Sequence, residues 1–149
     1  MYRKILVPVE NSPYDDAIVD HVLELAKITK SSIVLIHVAD GWAARNISQL
    51  KLRESEEMKQ DREYIEKLAE QIEREGVDAE ALLASGDPAT EISQAAAREN
   101  CDLIAMSTHG HKFIGDVIHG SVSHTVRHAS HIPVLLVRGS AQGRVSKPK

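Results

Sequence analysis

The sequence predicts an α/β fold in which five parallel strands form one doubly wound sheet with helices on both faces. Short aliphatic runs alternate along the chain with longer amphipathic segments, which is the pattern of strands joined by crossover helices. Most of the short runs are apolar throughout, as is typical of strands covered on both faces. Right-handed crossovers then leave few topologies, among which we expect the strand order 3-2-1-4-5, and a chain of 149 residues suits a single domain.

The first strand and helix are indicated by "KILVPV" and by the segment that follows it. The run from Lys4 to Val9 predicts a buried strand. Ser12 can cap a helix, Pro13 suits the first helical position, and Asp15 has the spacing of a capping box. "SSIVLIHVA" predicts a second strand that is covered on both faces.

A long charged segment follows, from about Ile47 to Glu75. Its apolar residues recur at helical spacing and predict an amphipathic helix, which Gly76 can terminate. "VDAEALLAS" alternates more than the other strands, so we expect the third strand near an edge of the sheet.

The last part of the chain predicts two further helices and two further strands. Asp87 as N-cap and Pro88 at the first position begin a helix over "GDPATEISQAAAREN". "DLIAMS" is the fourth strand, and a loop with three glycines leads to a helix over about residues 121–128. "PVLLVR" is the last strand, and we expect the domain to span residues 1–138, with 139–149 a flexible basic tail.

Composition and charge exclude several function classes. The net charge of -4 and the few aromatic residues disfavour a nucleic-acid partner. Cys101 is the only cysteine, so an internal disulfide is excluded, and we expect a packing role rather than a reactive thiol. No apolar stretch is long enough to span a membrane, and the N-terminus does not have the pattern of a signal peptide. We therefore expect a cytoplasmic protein.

Small and glycine residues follow the fourth strand, where a doubly wound sheet binds its ligands. The unpaired N–H groups at Gly120 and Ser121 would face an anion with the positive end of the helix dipole. From these residues alone, an anion site and a simple turn with a helix cap are equally supported. The chain has neither the Walker pattern G-x-x-x-x-G-K-[ST] nor G-x-G-x-x-G after the first strand, so a dinucleotide fold is disfavoured.

These residues resemble the universal stress protein family. ATP-binding members carry G-x2-G-x9-G-[ST] after the fourth strand, and this chain has Ser107-x2-Gly110-x9-Gly120-Ser121. The resemblance continues through "KILVPVENS", "GDPATEI", "CDLIAMSTHG" and "GSVSHTVRHASHIPVLLVR", and it covers residues 2–138. It implies a Rossmann-like sheet of the adenine nucleotide alpha hydrolase type and a homodimer formed through the last strand, Pro133–Val137.

The resemblance further implies an adenine nucleotide site at the switch point of the sheet, with ATP, either alone or with Mg²⁺, as the expected ligand. Glu10 replaces a family aspartate that meets the ribose, Val38 offers backbone groups to adenine, and the glycine loop with the following helix holds the phosphates. The implied binding residues are Pro8, Val9, Glu10, Val38, Met106, Ser107, His109, Gly110, Gly120, Ser121, Val122 and Ser123.

Two departures from the family pattern leave alternatives open. Ser107 replaces the first motif glycine, and Glu10 is one methylene longer than the aspartate it replaces. Asn11 also stands where the family often has glycine. The first function hypothesis is therefore a stress-response or signalling module that binds a nucleotide. The second is a dimeric interaction module whose crevice Ser107 closes, and the third and weakest is a slow ATPase.

Neither a catalytic set nor a metal site is assigned from the sequence. No nucleophile, base and orienting group stand together as a set. Six of the eight histidines fall between His109 and His131, and His124 and His128 have the i,i+4 spacing that can present two imidazoles to a metal. A structural or surface role is favoured for this pair, because cysteine is absent from the segment.

Overall fold

Strands and helices alternate along the chain as predicted. The computed structural model describes residues 1–40, 47–109, 122 and 124–139, without the side chains of residues 40, 47–55 and 109. The strands are β1 (Lys4–Pro8), β2 (Ser32–Asp40), β3 (Ala79–Gly86), β4 (Leu103–His109) and β5 (Val134–Gly139). The helices are α1 (Asp15–Thr29), α2 (Ile47–Arg74), α3 (Pro88–Arg98) and α4, a short helix over residues 124–129.

The five strands form one parallel sheet in the order β3-β2-β1-β4-β5, which confirms the predicted topology. β3 lies at one edge, as its alternating pattern indicated, and β5 lies at the other. From β1 the chain builds the sheet outward in one direction, through β2 to β3, and it then returns to add β4 and β5 on the other side of β1. β1 and β4 pair with each other. The carboxyl ends of these two strands therefore lie side by side at the switch point, where such sheets bind ligands.

Alternate residues of the central strands supply two hydrophobic cores, one on each face of the sheet. Ile5, Val7 and Leu35 face one core, which α1 and α2 cover with residues such as Ile18 and Ile72. The next residues along the same strands, Leu6 and Ile36, face the other core, which α3 covers with Ile92 and Ala95. Because successive side chains of a strand point to opposite faces, fully apolar strands require both layers of helices.

The helix starts follow the sequence in one case and depart from it in another. α3 begins as predicted, because the Asp87 carboxylate accepts a hydrogen bond from the Thr90 N–H at 3.0 Å and Pro88 takes the first position. α1 begins at Asp15 instead of near Ser12. The Ser12 hydroxyl lies toward the Glu10 carboxylate, at 3.5 Å, so it does not cap the helix.

The long helix α2 packs one apolar stripe on the sheet. Ile65, Leu68 and Ile72 are buried, while the side chains on the opposite face of its described part are charged and exposed. Among the described residues, no helix combines the length and the apolar character that crossing a bilayer requires.

Cys101 has the packing role predicted for it. Its side chain is buried beside α3 in the second core. Burial raises the pKa of the thiol to about 11, so the thiol stays protonated at neutral pH and is a poor nucleophile.

Asp102 fastens the amino ends of β1 and β4 together. Its carboxylate accepts hydrogen bonds from the Arg3 N–H at 2.8 Å and from the Lys4 N–H at 3.1 Å. Partial burial acts to raise the pKa of Asp102, but these two N–H donors, together with the N–H of Asp102 itself and the charge of the N-terminus, outweigh it and hold the pKa below its usual value. The carboxylate therefore stabilises the fold when it is ionised.

We expect Asp102→Asn to lower the free energy of unfolding at pH 7 by about 1 to 2 kcal/mol, because it removes charge from two hydrogen bonds to backbone N–H groups. The lowered pKa fixes the sign of the pH dependence. The contribution is complete above the pKa of an unfolded Asp, about 3.9, and is lost as pH falls through the folded value. Urea denaturation at pH 7 and at pH 3 checks this, and an unchanged difference between the two proteins at both pH values would contradict it.

Candidate functional site

A cavity of about 350 Å³ opens at the carboxyl ends of β1, β2 and β4. Its volume lies within the range of small-molecule sites, which is roughly 300 to 1,000 Å³. Its walls are mainly aliphatic, and a small number of polar groups enter it from one side. The residues that line it are Pro8, Val9, Glu10, Asp15, Ile36, His37, Val38, Pro88, Ile92, Met106, Ser107 and Val122.

Every predicted binding residue whose side chain the structure describes lines this cavity. These residues come from three strands, the β1–α1 loop and position 122, and they are Pro8, Val9, Glu10, Val38, Met106, Ser107 and Val122. His109 is the last residue of β4. The predicted phosphate-side residues Gly110, Gly120, Ser121 and Ser123 lie outside the described residues.

The Ser107 hydroxyl lies on the α1 side of the sheet. A β-carbon built on Gly139 would come within 2.6 Å of Ser107 Oγ and within 3.1 Å of the Tyr14 ring. Ser107 Oγ is buried there and has no hydrogen-bond partner among the described residues. Because Gly139 has no side chain, the Ser107 hydroxyl has room at this position. The cavity remains open beside Ser107.

The β1–α1 loop passes the cavity in a conformation that Asn11 makes possible. Asn11 has a φ of 62°, in the left-handed region, which asparagine tolerates better than most residues other than glycine. Asn11 therefore adopts the kind of backbone conformation for which glycine is the usual choice. Its side chain adds a hydrogen bond to Asp61 Oδ1 at 3.3 Å, which glycine cannot make.

The buried carboxylate of Asp15 holds the same loop. Asp15 is only 2% exposed. Oδ1 accepts from the Glu10 N–H at 2.9 Å, and Oδ2 accepts from the Ser12 N–H at 3.1 Å and from the Tyr64 hydroxyl at 2.6 Å. Burying a carboxylate costs free energy unless its oxygens accept hydrogen bonds, and these three donors provide them.

The Tyr64 hydroxyl is protonated at neutral pH and remains a hydrogen-bond donor. Burial raises the pKa of Tyr64 well above its usual value, and the hydrogen bond to Asp15 with the charges of Asp15 and Asp16 raises it further. Tyr64 belongs to α2, so this bond joins the long helix to the loop at the cavity.

His37 joins the same elements a second time. Its Nδ1 lies 2.9 Å from the Val9 carbonyl oxygen, and its Nε2 lies 3.1 Å from Asp61 Oδ2. Each ring nitrogen therefore lies beside an oxygen that can accept a hydrogen bond. The Val9 N–H in turn donates to the Ile36 carbonyl at 2.9 Å. Both backbone groups of Val9 are therefore held by β2.

The comparisons with known proteins agree with this geometry. The family model described as "Universal stress protein family" matches residues 1–138. The chain belongs to the universal stress protein family.

Several relatives match this universal stress protein over most of their length. Universal stress protein MJ0577 of Methanocaldococcus jannaschii is 30% identical, with 93% of this chain and 96% of the relative covered. Universal stress protein YxiE of Bacillus subtilis is 28% identical, with 93% of this chain and 100% of the relative covered. A solved structure of MJ0577 superposes with a TM-score of 0.74 at 30% identity, over 94% of this chain and 98% of that one.

Solved structures of more distant members share the fold. A universal stress protein in complex with cAMP matches with a TM-score of 0.67 at 19% identity, over 93% of this chain and 98% of that one. The universal stress protein of Archaeoglobus fulgidus in complex with dAMP matches with a TM-score of 0.62 at 18% identity, over 91% and 98% of the two chains.

The structure adds five lining residues that the sequence did not predict for the site of this universal stress protein. They are Asp15, Ile36, His37, Pro88 and Ile92. His37 had a signal, because it is the only ionisable side chain in an otherwise apolar strand run. Asp15 was interpreted as a helix-capping residue, and that interpretation hid its second contact, the one with Tyr64.

The paired histidines of α4 contact each other. The rings of His124 and His128 meet edge to face, with centroids 4.4 Å apart, and both residues are exposed. Within the described ranges, no group of three or more His, Cys, Asp or Glu side chains is arranged to hold a metal ion.

A second depression, of about 480 Å³, lies at the opposite end of the sheet. Arg3, Lys27, Lys30 and Asp78 are among the residues that line it. Lys27 Nζ lies 3.4 Å from Glu75 and 3.8 Å from Glu24, so acidic neighbours offset its charge. The cavity at the switch point remains the better candidate, because it combines apolar walls with polar groups that converge on one side.

We expect Gly139→Ala to lower the free energy of unfolding by about 1 to 3 kcal/mol, because the new methyl group would collide with Ser107 Oγ and the Tyr14 ring. Ser107→Gly in the same chain should restore part of the loss, since it removes the nearer of the two obstacles. Urea denaturation of the two single variants and the double variant measures the coupling. Strictly additive effects would show that Ser107 does not occupy this space.

Proposed function

We propose that this universal stress protein binds an adenine nucleotide, with ATP as the preferred ligand, in the cavity at the switch point. It would act as a stress-response or signalling module in the cytoplasm, within a domain formed by residues 1–138. The observation that carries the proposal is the convergence of Pro8, Glu10, Val38 and Met106 on one cavity of about 350 Å³. These residues come from separate parts of the chain and were predicted for one ligand.

The chemistry of the lining fits the adenosine part of such a ligand. The aliphatic walls formed by Ile36, Ile92 and Met106 suit a flat, weakly polar base. The Glu10 carboxylate can accept hydrogen bonds from ribose hydroxyls, and the backbone at Val38 can pair with the edge of adenine. An aliphatic lining with the carboxylates of Glu10 and Asp15 on its polar side favours a nucleoside over a fully charged ligand.

The phosphates would lie toward the glycine loop. The spacing Gly110-x9-Gly120-Ser121 is the sequence feature that supports this assignment. Backbone N–H groups there, with the hydroxyls of Ser121 and Ser123, would meet the negative charge. Mg²⁺ would enter with ATP and neutralise part of that charge.

Two neighbours of the same fold support an adenine ligand. One is described in complex with cAMP and the other in complex with dAMP. At 19% and 18% identity they support the capacity of the fold to hold such ligands, and the choice of ATP rests on the motif spacing of this chain.

A bound nucleotide would act on this protein as a regulatory ligand. It can change the conformation or the assembly only to the extent that its affinity differs between two states. The loop from Val9 to Ser12 is the natural place for such a difference, because it lines the cavity and contacts α2.

We expect isothermal titration calorimetry of the nucleotide-free protein to give saturable binding of ATP with Mg²⁺ and weaker binding of AMP. Glu10→Ala should weaken ATP binding by about tenfold, because it removes the proposed ribose acceptor, worth about 1.5 kcal/mol. Glu75→Ala is the matched control, because it removes the same charge at the opposite end of the sheet, beside Lys27.

Two outcomes would count against these assignments. An absence of heat with both nucleotides would refute the nucleotide site. ATP binding that is equal in wild type and Glu10→Ala would leave the site in place and refute the assignment of Glu10 to the ribose.

We further propose a homodimer formed through β5, Pro133–Val137 in the predicted interface. Among the described residues β5 pairs with β4 alone, so in that part of the chain its outer edge has no strand partner. Leu136 is 37% exposed on this strand, which is unusual for a large aliphatic residue in a sheet of this kind. A second copy of the edge would cover both features.

We expect Leu136→Lys to shift the protein from dimer toward monomer, because a charge would be buried where an apolar contact forms. Sedimentation velocity over a concentration series measures the shift. Ile28→Lys, at an exposed apolar residue of α1, is the control and should leave the assembly unchanged. A wild-type protein that is monomeric throughout the series would overturn the proposed dimer.

A further inference from the structure

The helix α2 contacts the cavity loop through two side chains one helical turn apart. Asp61 and Tyr64 are i,i+3 neighbours, so they lie on the same face of α2. Asp61 accepts from Asn11 and His37, and Tyr64 donates to Asp15. Both residues lie near the carboxyl ends of the strands, where α2 passes the β1–α1 loop. We call Asp61, Tyr64 and His37 the α2 brace.

The α2 brace fixes the loop through its backbone groups. Asp15, held by Tyr64, receives the N–H groups of Glu10 and Ser12. His37, which Asp61 holds, lies with its Nδ1 in hydrogen-bond contact with the Val9 carbonyl oxygen. The backbone on both sides of Glu10 is thereby tied to partners that α2 positions.

The contacts are formed where solvent competes little. The His37 side chain is 13% exposed and that of Asp61 is 21% exposed, so their interaction is screened less than an ion pair on the open surface. Asp15 is buried. Loss of one donor at such a group leaves an acceptor unsatisfied, and the loop can respond by moving.

We propose that Asp61, Tyr64 and His37 are positioning residues of the cavity, which fix residues 9–12 in the conformation that binds the nucleotide and make α2 the element that responds to its presence. This inference rests on the proposed function. None of the three side chains needs to contact the nucleotide. They act through Glu10 and the backbone of Val9, which line the cavity.

The coupling between α2 and the nucleotide must act in both directions. If α2 contacts favour the binding conformation of the loop, nucleotide binding must stabilise those contacts by the same free energy. The amides of Glu10 and Ser12, and those of α2 around Asp61 and Tyr64, should then exchange more slowly with solvent when ATP is bound.

The experiment compares Tyr64→Phe and Asp61→Asn with wild type and with Asp102→Asn. Asp102→Asn is the control. Like Asp15, Asp102 has a carboxylate that accepts from two backbone N–H groups, but it lies at the opposite end of the sheet. Titration calorimetry with ATP and Mg²⁺ gives the affinity, urea denaturation gives the stability, and hydrogen–deuterium exchange reports on the Glu10 and Ser12 amides.

We expect Tyr64→Phe and Asp61→Asn each to weaken ATP binding by about five- to tenfold and to speed exchange at the Glu10 and Ser12 amides. Asp102→Asn should lose stability and keep wild-type affinity and loop exchange. Non-additive losses in a cycle of His37→Gln and Asp61→Asn would show that the two residues act as a pair. This cycle also carries the test if Tyr64→Phe does not fold.

The outcomes separate the inference from the proposed function. Equal ATP affinity in wild type, Tyr64→Phe and Asp61→Asn overturns the positioning role and leaves the nucleotide site intact. An affinity loss of similar size in Asp102→Asn also overturns it, since general destabilisation would then explain the effect. Absence of ATP binding in wild type overturns the proposed function and this inference with it.

Discussion

The carboxylate of Asp15, buried at the start of α1, is the constraint on which the cavity depends. A carboxylate is tolerated in a protein interior only when donors surround it. In the described part of the chain three donors do so, two from the backbone of the β1–α1 loop and one from Tyr64. The loop must therefore fold around the carboxylate, and α2 must approach close enough to deliver its hydroxyl. The position of Glu10 at the cavity follows from the position of its N–H.

The fold could be predicted because its determinants are local. A run such as "KILVPV" specifies a buried strand wherever it lies, and Asp87 with Pro88 starts a helix through contacts three residues away. Right-handed crossovers left few strand orders, the alternation of "VDAEALLAS" favoured an edge for that strand, and the family resemblance implied the order 3-2-1-4-5. The start of α1 was predicted less well, because Ser12 had a competing partner in Glu10 and the loop had a competing acceptor in Asp15. Local capping rules do not decide between such partners.

The residues that line the candidate site could be predicted from the sequence, but the hydrogen bonds that hold them in place could not. The family resemblance identified Glu10, Val38 and Met106, which lie near the carboxyl ends of β1, β2 and β4. The bonds that hold them join positions far apart in sequence, such as Asp15 with Tyr64 and His37 with Asp61, and no periodicity marks such pairs. Ser107 and Gly139 are a further example. The serine looked like an obstacle to a ligand because its neighbour on β5, a glycine that makes room for the hydroxyl, is 32 residues away in the chain, 139 against 107.

The two faces of the sheet have different parts in this arrangement. The face covered by α3 is almost wholly aliphatic near the cavity, with Ile36, Ile92 and Met106, and such packing gives a rigid wall that does not distinguish ligands finely. The face covered by α1 and α2 is where carboxylates, an imidazole and a phenol meet, and their hydrogen bonds have directions that packing lacks. A ligand placed between them would be held by shape on one side and by directed contacts on the other. The hydrogen bonds of the polar side reach α2, which gives a change at the cavity a physical route outward.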